Sequence, residues 1–185
     1  MEKVKILGFA GSLRKESFNK AVLNTAKRHC PENVEMEIFD LAVIPLYNQD
    51  EENDMPDTVV EFKRKIEEAD ALLMATPEYN RSVPGVLKNA IDCASRPYGH
   101  NSFDDKPVAT IGATAGEFVG TSAVQYHMRQ IFSFLNMHPL ERPQVFITNA
   151  EKKIENGLVI DEDTIKLIRE LVEKLAEWAE RIKKK

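Results

Sequence analysis

Thiols are scarce in this chain. Cys30 and Cys93 are its only cysteines, they form no C-x-x-C pair and no His stands near them at metal-ligand spacing. A disulfide framework and a zinc site are therefore not expected, and two reduced thiols are. His29, His100, His127 and His138 are scattered, with no H-E-x-x-H pair, so no metal is expected. The glycines form neither a G-x-G-x-x-G fingerprint nor a G-x-x-x-x-G-K-[ST] loop, which argues against an NAD-type Rossmann site and a P-loop. A G-x-S-x-G elbow is also missing, and with it the case for a serine nucleophile. No apolar run approaches the roughly 20 residues that span a bilayer, so no membrane association is expected. The start Met1-Glu2-Lys3-Val4 carries an acid and runs directly into an apolar stretch, unlike a secretory signal, and a cytoplasmic location is expected. Basic charge is lacking too. Lys and Arg number 25 against 30 Asp and Glu, a net −5 that disfavours a partner bound through its phosphate backbone, so no nucleic acid is expected.

What is present is a rhythm. Its 185 residues suit one domain, 1–185, in which strand-like runs alternate with helix-like segments. Strands are expected at Val4 to Ala10, Val34 to Phe39, Asp70 to Thr76, Pro107 to Ala113 and Val145 to Thr148. Asp70 to Thr76 is almost wholly apolar, as a parallel strand buried on both faces should be. Val34 to Phe39 alternates, which places it near the sheet edge. Helices are expected over Phe18 to His29, Asp57 to Glu68, Val86 to Ala94 and Gly120 to Asn136, and from Asp161 onward; Leu41 to Pro56 reads as a long loop. The last helix carries an apolar stripe from Ile165 to Ile182 suited to sheet packing, the i,i+4 pairs Glu170–Lys174 and Glu177–Arg181, and a basic end, Lys183 to Lys185. The expected fold is α/β: a three-layer sandwich around a five-stranded parallel sheet.

In such a sheet a ligand sits beyond the carboxyl ends of the strands. Three junctions qualify: Gly11 to Asn19, Pro77 to Pro84 and Thr114 to Gly120. The first offers free helical amides, the hydroxyls of Ser12 and Ser17 and the charge of Arg14, a donor set suited to a phosphate monoester. Its alternative reading is a helix cap at Ser17 with solvated charges. In the second, two prolines stiffen a loop in which Tyr79 and Asn80 add an aromatic face and an amide, matching a flat heteroaromatic ring with polar edges. Tyr79 alone also fits a packing role.

The segments GSLRKESFN, TPEYNRSVPGVLKNAID and GATAGEF with QYHMRQ behind it, in that order, resemble the NADPH-dependent FMN reductase family, which includes flavodoxin-like quinone and chromate reductases. The resemblance runs from about Val4 to about Thr148 and implies a flavodoxin-like fold. It implies FMN with its phosphate against Ser12, Arg14, Ser17, Phe18 and Asn19. The isoalloxazine would lie against Pro77, Glu78, Tyr79 and Asn80, with Thr114, Ala115 and Gly116 approaching from the other side. Two departures stand out: Cys93 occupies a position where family members often carry Trp, and the third loop differs in sequence. Cys93 also reads as a small buried residue on a helix face.

The expected activity is hydride transfer from NADPH or NADH through FMN to a quinone-like or other small acceptor. Since the flavin carries that chemistry, no dedicated catalytic side chain is required. Arg81 and Arg96 are candidates for the pyridine nucleotide phosphate. The alternative is a flavodoxin-like electron carrier without NAD(P)H activity, for which −5 is a weakly acidic docking surface. A homodimer or homotetramer is expected from the resemblance. Residue types enriched at interfaces support it, namely Tyr98 and Phe103 in one loop and Tyr126, Met128 and Arg129 on one helix.

Overall fold

In the computed structural model, which describes residues 3–184, β1 (Val4–Ala10) pairs in parallel on one side with β2 (Val34–Phe39) and on the other with β3 (Ala71–Ala75). Met1, Glu2 and Lys185, which belong to the expected chain start and basic helix end, lie outside the described residues. β4 (Pro107–Ala113) follows β3, and the sheet order becomes β2-β1-β3-β4, with the fifth position next to β4. β2 is the edge, as its alternation implied. This is the doubly wound order of flavodoxin-like folds, with a topological switch point between β1 and β3.

The fifth position differs from the single strand expected there. It is shared by β5 (His138–Pro139), opposite Pro107 and Val108, and β6 (Val145–Ile147), opposite Ile111 to Ala113. Five residues, Leu140 to Gln144, thus face only Ala109 and Thr110 and must loop out. Pro139 and Pro143 lack the N–H groups that a continuous ladder would use.

Alternation within the strands builds two cores. Val4, Ile6, Leu73 and Ile111 face α1 (Phe18–Arg28) and α6 (Glu162–Lys183), where Val22, Ala26, Ile168, Val172 and Leu175 meet them. Leu7, Phe9, Leu72, Met74 and Val108 face α2 (Asp57–Glu68), α3 (Gly85–Ala94) and α4 (Ser122–Phe134). There Phe9 meets Phe62 edge to face at 5.3 Å. The α6 stripe therefore packs on the sheet, as expected. Its ion pairs are not those the spacing suggested: Lys174 turns to Glu177, Arg169 takes Glu173, and Arg181 lies 5.6 Å over the Trp178 ring. A three-apart partner and an aromatic face compete on equal terms with an i,i+4 carboxylate.

Asp161 caps α6, accepting from the Thr164 amide at 2.9 Å and the Thr164 hydroxyl at 2.5 Å. These two bonds, that of the hydroxyl first, hold its carboxyl below the usual Asp range. The cap then stabilises above the unfolded-state pKa and fades as pH falls through the lower folded value. We expect Asp161→Ala to melt below the wild type at pH 7, with the gap narrowing in thermal unfolding below about pH 4. A gap unchanged at acid pH would show that the carboxylate charge has no part in the cap.

The Leu41 to Pro56 loop carries two 3₁₀ turns, Leu41–Val43 and Gln49–Glu51. Two elements went unforeseen: α5 (Ala150–Lys153), and a hairpin of β7 (Ile154–Glu155) and β8 (Leu158–Val159). The hairpin turns on Asn156 (φ 50°) and Gly157 (φ 75°), and an Asn-Gly pair is a strong sequence signal for such a turn. No helix among the described residues is long and apolar enough to cross a membrane.

Candidate functional site at the carboxyl ends of the strands

Ala10, Ala75, Ile111 and Val145 lie in one row across the sheet; β1 and β3 end there, and β4 and β6 two residues further on. The ladder runs one step into the loops. Gly11 N donates to Ala75 O (2.8 Å), Thr76 N to Ile111 O (2.9 Å) and Thr114 N to Ile147 O (3.0 Å). The three predicted junctions are thereby brought to one end of the sheet, on both sides of the switch point.

In the first loop Ser12 and Ser17 are both 5% exposed, and among the described residues no hydrogen bond engages the Ser12 hydroxyl. Ser17 Oγ accepts from Lys20 N at 3.3 Å, so the capping reading holds. The amides of Phe18 and Asn19, in the first turn of α1, fall outside the i→i−4 ladder and point where an anion would sit. Arg14 folds over this turn, its Nε donating to Glu16 O (3.0 Å) and its guanidinium lying 4.7 Å above the Phe18 ring. Asn19 behaves otherwise than a side-chain ligand. Its amide donates to Ala113 O (3.0 Å) and accepts from Ala113 N (2.9 Å), which locks α1 onto the end of β4. Only the backbone of Asn19 is left for a ligand.

Pro77 opens the second loop, and Tyr79 to Ser82 close a two-residue hairpin turn, Ser82 N donating to Tyr79 O at 2.9 Å. Its centre, Asn80 (φ 52°) and Arg81 (φ 62°), lies in the left-handed region, which Asn tolerates and Arg seldom adopts. Glu78 has a role that sequence reading missed. Its Oε2 accepts from Val124 N (3.1 Å) in the first turn of α4, and its Oε1 meets Arg81 at 3.2 Å. Thr121, at the helix start, makes no capping bond, so Glu78 caps α4 from 46 residues away. Ser82 Oγ adds a second tie to that helix, 3.0 Å from His127 Nδ1.

The third loop is stapled by its backbone. Thr114 Oγ1 accepts from Gly116 N (3.2 Å), Ala150 N donates to Thr114 O (3.0 Å) and Asn149 N to Gly116 O (3.1 Å). Ala115 and Gly116 are exposed above it. Deeper, Gly112 packs so closely against Thr76 O and Thr121 that a β-carbon has no room.

Beside these loops a groove of about 650 Å³ runs between α3 and α4, lined among others by Ile91, Arg96, Tyr98, His127, Ile131 and Phe134. The segment that carries Arg96 and Tyr98 is held by Lys63, whose amine donates to Ala94 O (3.0 Å), Arg96 O (2.6 Å) and His100 O (2.8 Å). Burial pushes the Lys63 amine below the ordinary lysine range. Cys93 is a buried helix residue, its Sγ 3.8 Å from Pro45 O, and burial raises its thiol. Phe103 and Met128 are fully buried core residues and offer nothing to an interface; Tyr98 and Tyr126 are exposed.

The donor chemistry fits FMN. The first loop presents hydroxyls, amides and a guanidinium, and the first turn of α1 carries no acidic residue, as a phosphate dianion needs. The second presents loop backbone and a phenol at the next strand end, where a planar ring would lie.

Comparison with known proteins agrees. The NADPH-dependent FMN reductase family matches residues 4–152. An NAD(P)H-dependent FMN reductase of Pseudomonas aeruginosa is 44% identical over 184 residues, 98% of each chain. A 2-hydroxy-1,4-benzoquinone reductase of a Burkholderia species is 40% identical over 176 residues, 95% of this chain and 96% of that one. Among solved structures, the flavoenzyme NAD(P)H:(acceptor) oxidoreductase FerB of Paracoccus denitrificans superposes with a TM-score of 0.87 at 35% identity, covering 96% of this chain and 98% of its own.

Proposed function

The chain belongs to the NADPH-dependent FMN reductase family, and from that premise we propose that it oxidises NAD(P)H through FMN and hands the electron pair to quinone-like or other small acceptors. The carrier alternative falls with the membership, because these relatives are reductases in their own right. FMN when bound supplies the hydride-accepting ring, and the chain's residues bind, orient and shield it. Ser12, Ser17, Arg14 and the amides of Phe18 and Asn19 hold the phosphate. Pro77, Glu78, Tyr79 and Asn80 carry one edge of the ring, and Thr114, Ala115 and Gly116 approach it from across the sheet end. Glu78 contributes by position, since its carboxylate is occupied by α4 and Arg81. Arg81 and Arg96 are the groups assigned to the pyridine nucleotide phosphate. The donor-only first turn at the end of β1 carries this reading. Its test is the chromophore and the reaction: the purified protein should release one FMN per chain on denaturation and oxidise NADPH with benzoquinone. Release of FAD, or failure to bind FMN on reconstitution, would refute it.

A cytoplasmic location belongs to the same proposal and is supported by Cys30 and Cys93 both being free thiols. So does a homo-oligomer, at least a dimer, in which a second copy covers the groove between α3 and α4. Tyr98 is 90% exposed and Phe134 87% exposed on that groove, and Phe118 of the third loop is 90% exposed. Large side chains left exposed along a groove and on a neighbouring loop are a surface that water disfavours. We expect light scattering to give a mass of twice 21.0 kDa or more, with NADPH oxidation falling as dilution dissociates the copies. A monomer that keeps full activity at every concentration would remove both the assembly and its part in catalysis.

A further inference from the structure

Hydride transfer from NAD(P)H to a quinone leaves the reduced acceptor one proton short, and nothing assigned so far supplies it. One side chain next to the ring-carrying loop has the chemistry to do so. His127, in the second turn of α4, sits 3.0 Å through Nδ1 from Ser82 Oγ and also lines the 650 Å³ groove. Its place relative to the second loop is set at two points, by the Ser82 contact and by Glu78 holding the Val124 amide one turn earlier. Among the described residues no bond engages its Nε2. A hydroxyl on one ring nitrogen orients an imidazole and leaves the other free to donate, and imidazole changes charge in the neutral range.

The charged groups around it are already committed to one another. On the hairpin Glu78 pairs with Arg81 at 3.2 Å, and on α3 Lys88 pairs with Asp92 at 2.8 Å. On its own helix Arg129 turns away to Glu141. Arg96, on the segment after α3, lines the groove and adds positive charge.

We propose that His127, oriented by Ser82, donates the proton that completes reduction of a quinone bound at the mouth of the groove. This rests on the reductase reading above. The acceptor gains a hydride equivalent, one proton and two electrons, drawn from NAD(P)H. One quinone oxygen forms an O–H bond and the other is left as an oxyanion. The imidazolium Nε2–H bond then breaks as the second O–H bond forms, giving the hydroquinone and a neutral imidazole that solvent reprotonates. NAD(P)H is oxidised and the quinone reduced, with no further co-reactant.

The test compares acceptors on the FMN-loaded protein. Benzoquinone needs the proton; ferricyanide takes single electrons and needs none. With His127→Gln, kcat/KM for benzoquinone should fall about a hundredfold, the lower end of general-acid effects, and lose its dependence on pH in the neutral range. The NADPH-driven ferricyanide rate should change less than twofold. Ser82→Ala should cause a smaller loss and shift the pH profile. Without turnover, ¹⁵N spectra of the imidazoles should show neutral His127 keeping its proton on Nδ1, toward Ser82, in the wild type and a mixture of tautomers in Ser82→Ala. Equal losses with both acceptors would assign His127 a structural role and overturn the proposal. So would a variant that keeps the wild-type quinone rate and pH profile. A wild type that reduces ferricyanide but no quinone would overturn the functional reading itself, and the proposal with it.

Discussion

Gly112→Ala should lower the melting temperature of the FMN-loaded protein by about 6–12 °C and cut its FMN content. An added β-carbon at this position overlaps the Thr121 side chain and comes within 2.5 Å of Thr76 O. Thr121 is the residue before α4 and accepts from Gln125 Nε2 at 3.0 Å, while Thr76 leads into the second loop. Neither can yield without moving the end of β3 or the start of α4. Overpacking against backbone costs about 3 kcal/mol, and a chain of this length loses about 2–4 °C per kcal/mol. Gly8→Ala is the control within the same sheet. Its β-carbon would meet the Met36 methyl at 2.6 Å, the free end of a flexible side chain, and the loss should be clearly smaller. Equal losses at the two positions would show that the backbone crowding at Gly112 is not what decides.

Arg14→Ala combined with Ser17→Ala should weaken FMN by at least a hundredfold and leave riboflavin, which lacks the phosphate, within a few-fold of the wild type. Charge-assisted bonds to a dianion are worth about 1.5–3 kcal/mol each, and about 1.4 kcal/mol is tenfold. Ser17 also caps α1, so its loss should cost about 1 kcal/mol of stability whether or not flavin is bound. Thermal unfolding of the flavin-free protein separates that effect from affinity. Arg14 is exposed and among the described residues bonds Glu16 O and lies over the Phe18 ring, so its removal alone should change affinity and hardly stability. Glu78→Ala should do the reverse, loosening α4 and changing FMN affinity less than tenfold. Equal losses for FMN and riboflavin would mean that the phosphate lies elsewhere.

Most of the layer architecture was legible because a sheet buried on both faces demands long apolar runs, and Asp70 to Thr76 admits no other reading. The bounds of β1, β2, α2 and β4 agree with those expected from the pattern. The site was legible in part for a different reason: hydroxyls, amides and one guanidinium gathered between a strand and a helix have few uses besides an anion. What escaped was every interaction whose partner is distant along the chain. Glu78 reaches α4 across 46 residues, Lys63 reaches the end of α3 across 31 to 37, and Asn19 reaches Ala113 across 94. The needs behind two of them were visible all the same. α4 has no acid in its first turn and α3 no base in its last, so each required a charge from elsewhere. The split of the fifth strand escaped because two residues set no period, whereas the Asn156-Gly157 turn was available to be read.

That split strand has a bearing on the fate of the protein at high concentration. An open sheet invites another copy to add a strand at its rim, the route by which folded chains join into fibrils. On one rim β5 and β6 present only two and three residues, separated by the excursion of Leu140 to Gln144, too short and too broken to template a neighbour. On the other, β2 carries the exposed carboxylates of Glu35 and Glu37, the latter paired with Lys65, so charged side chains would meet any identical strand laid beside it. The same sheet that aligns the three candidate loops at its carboxyl end is thus guarded along both sides against self-addition.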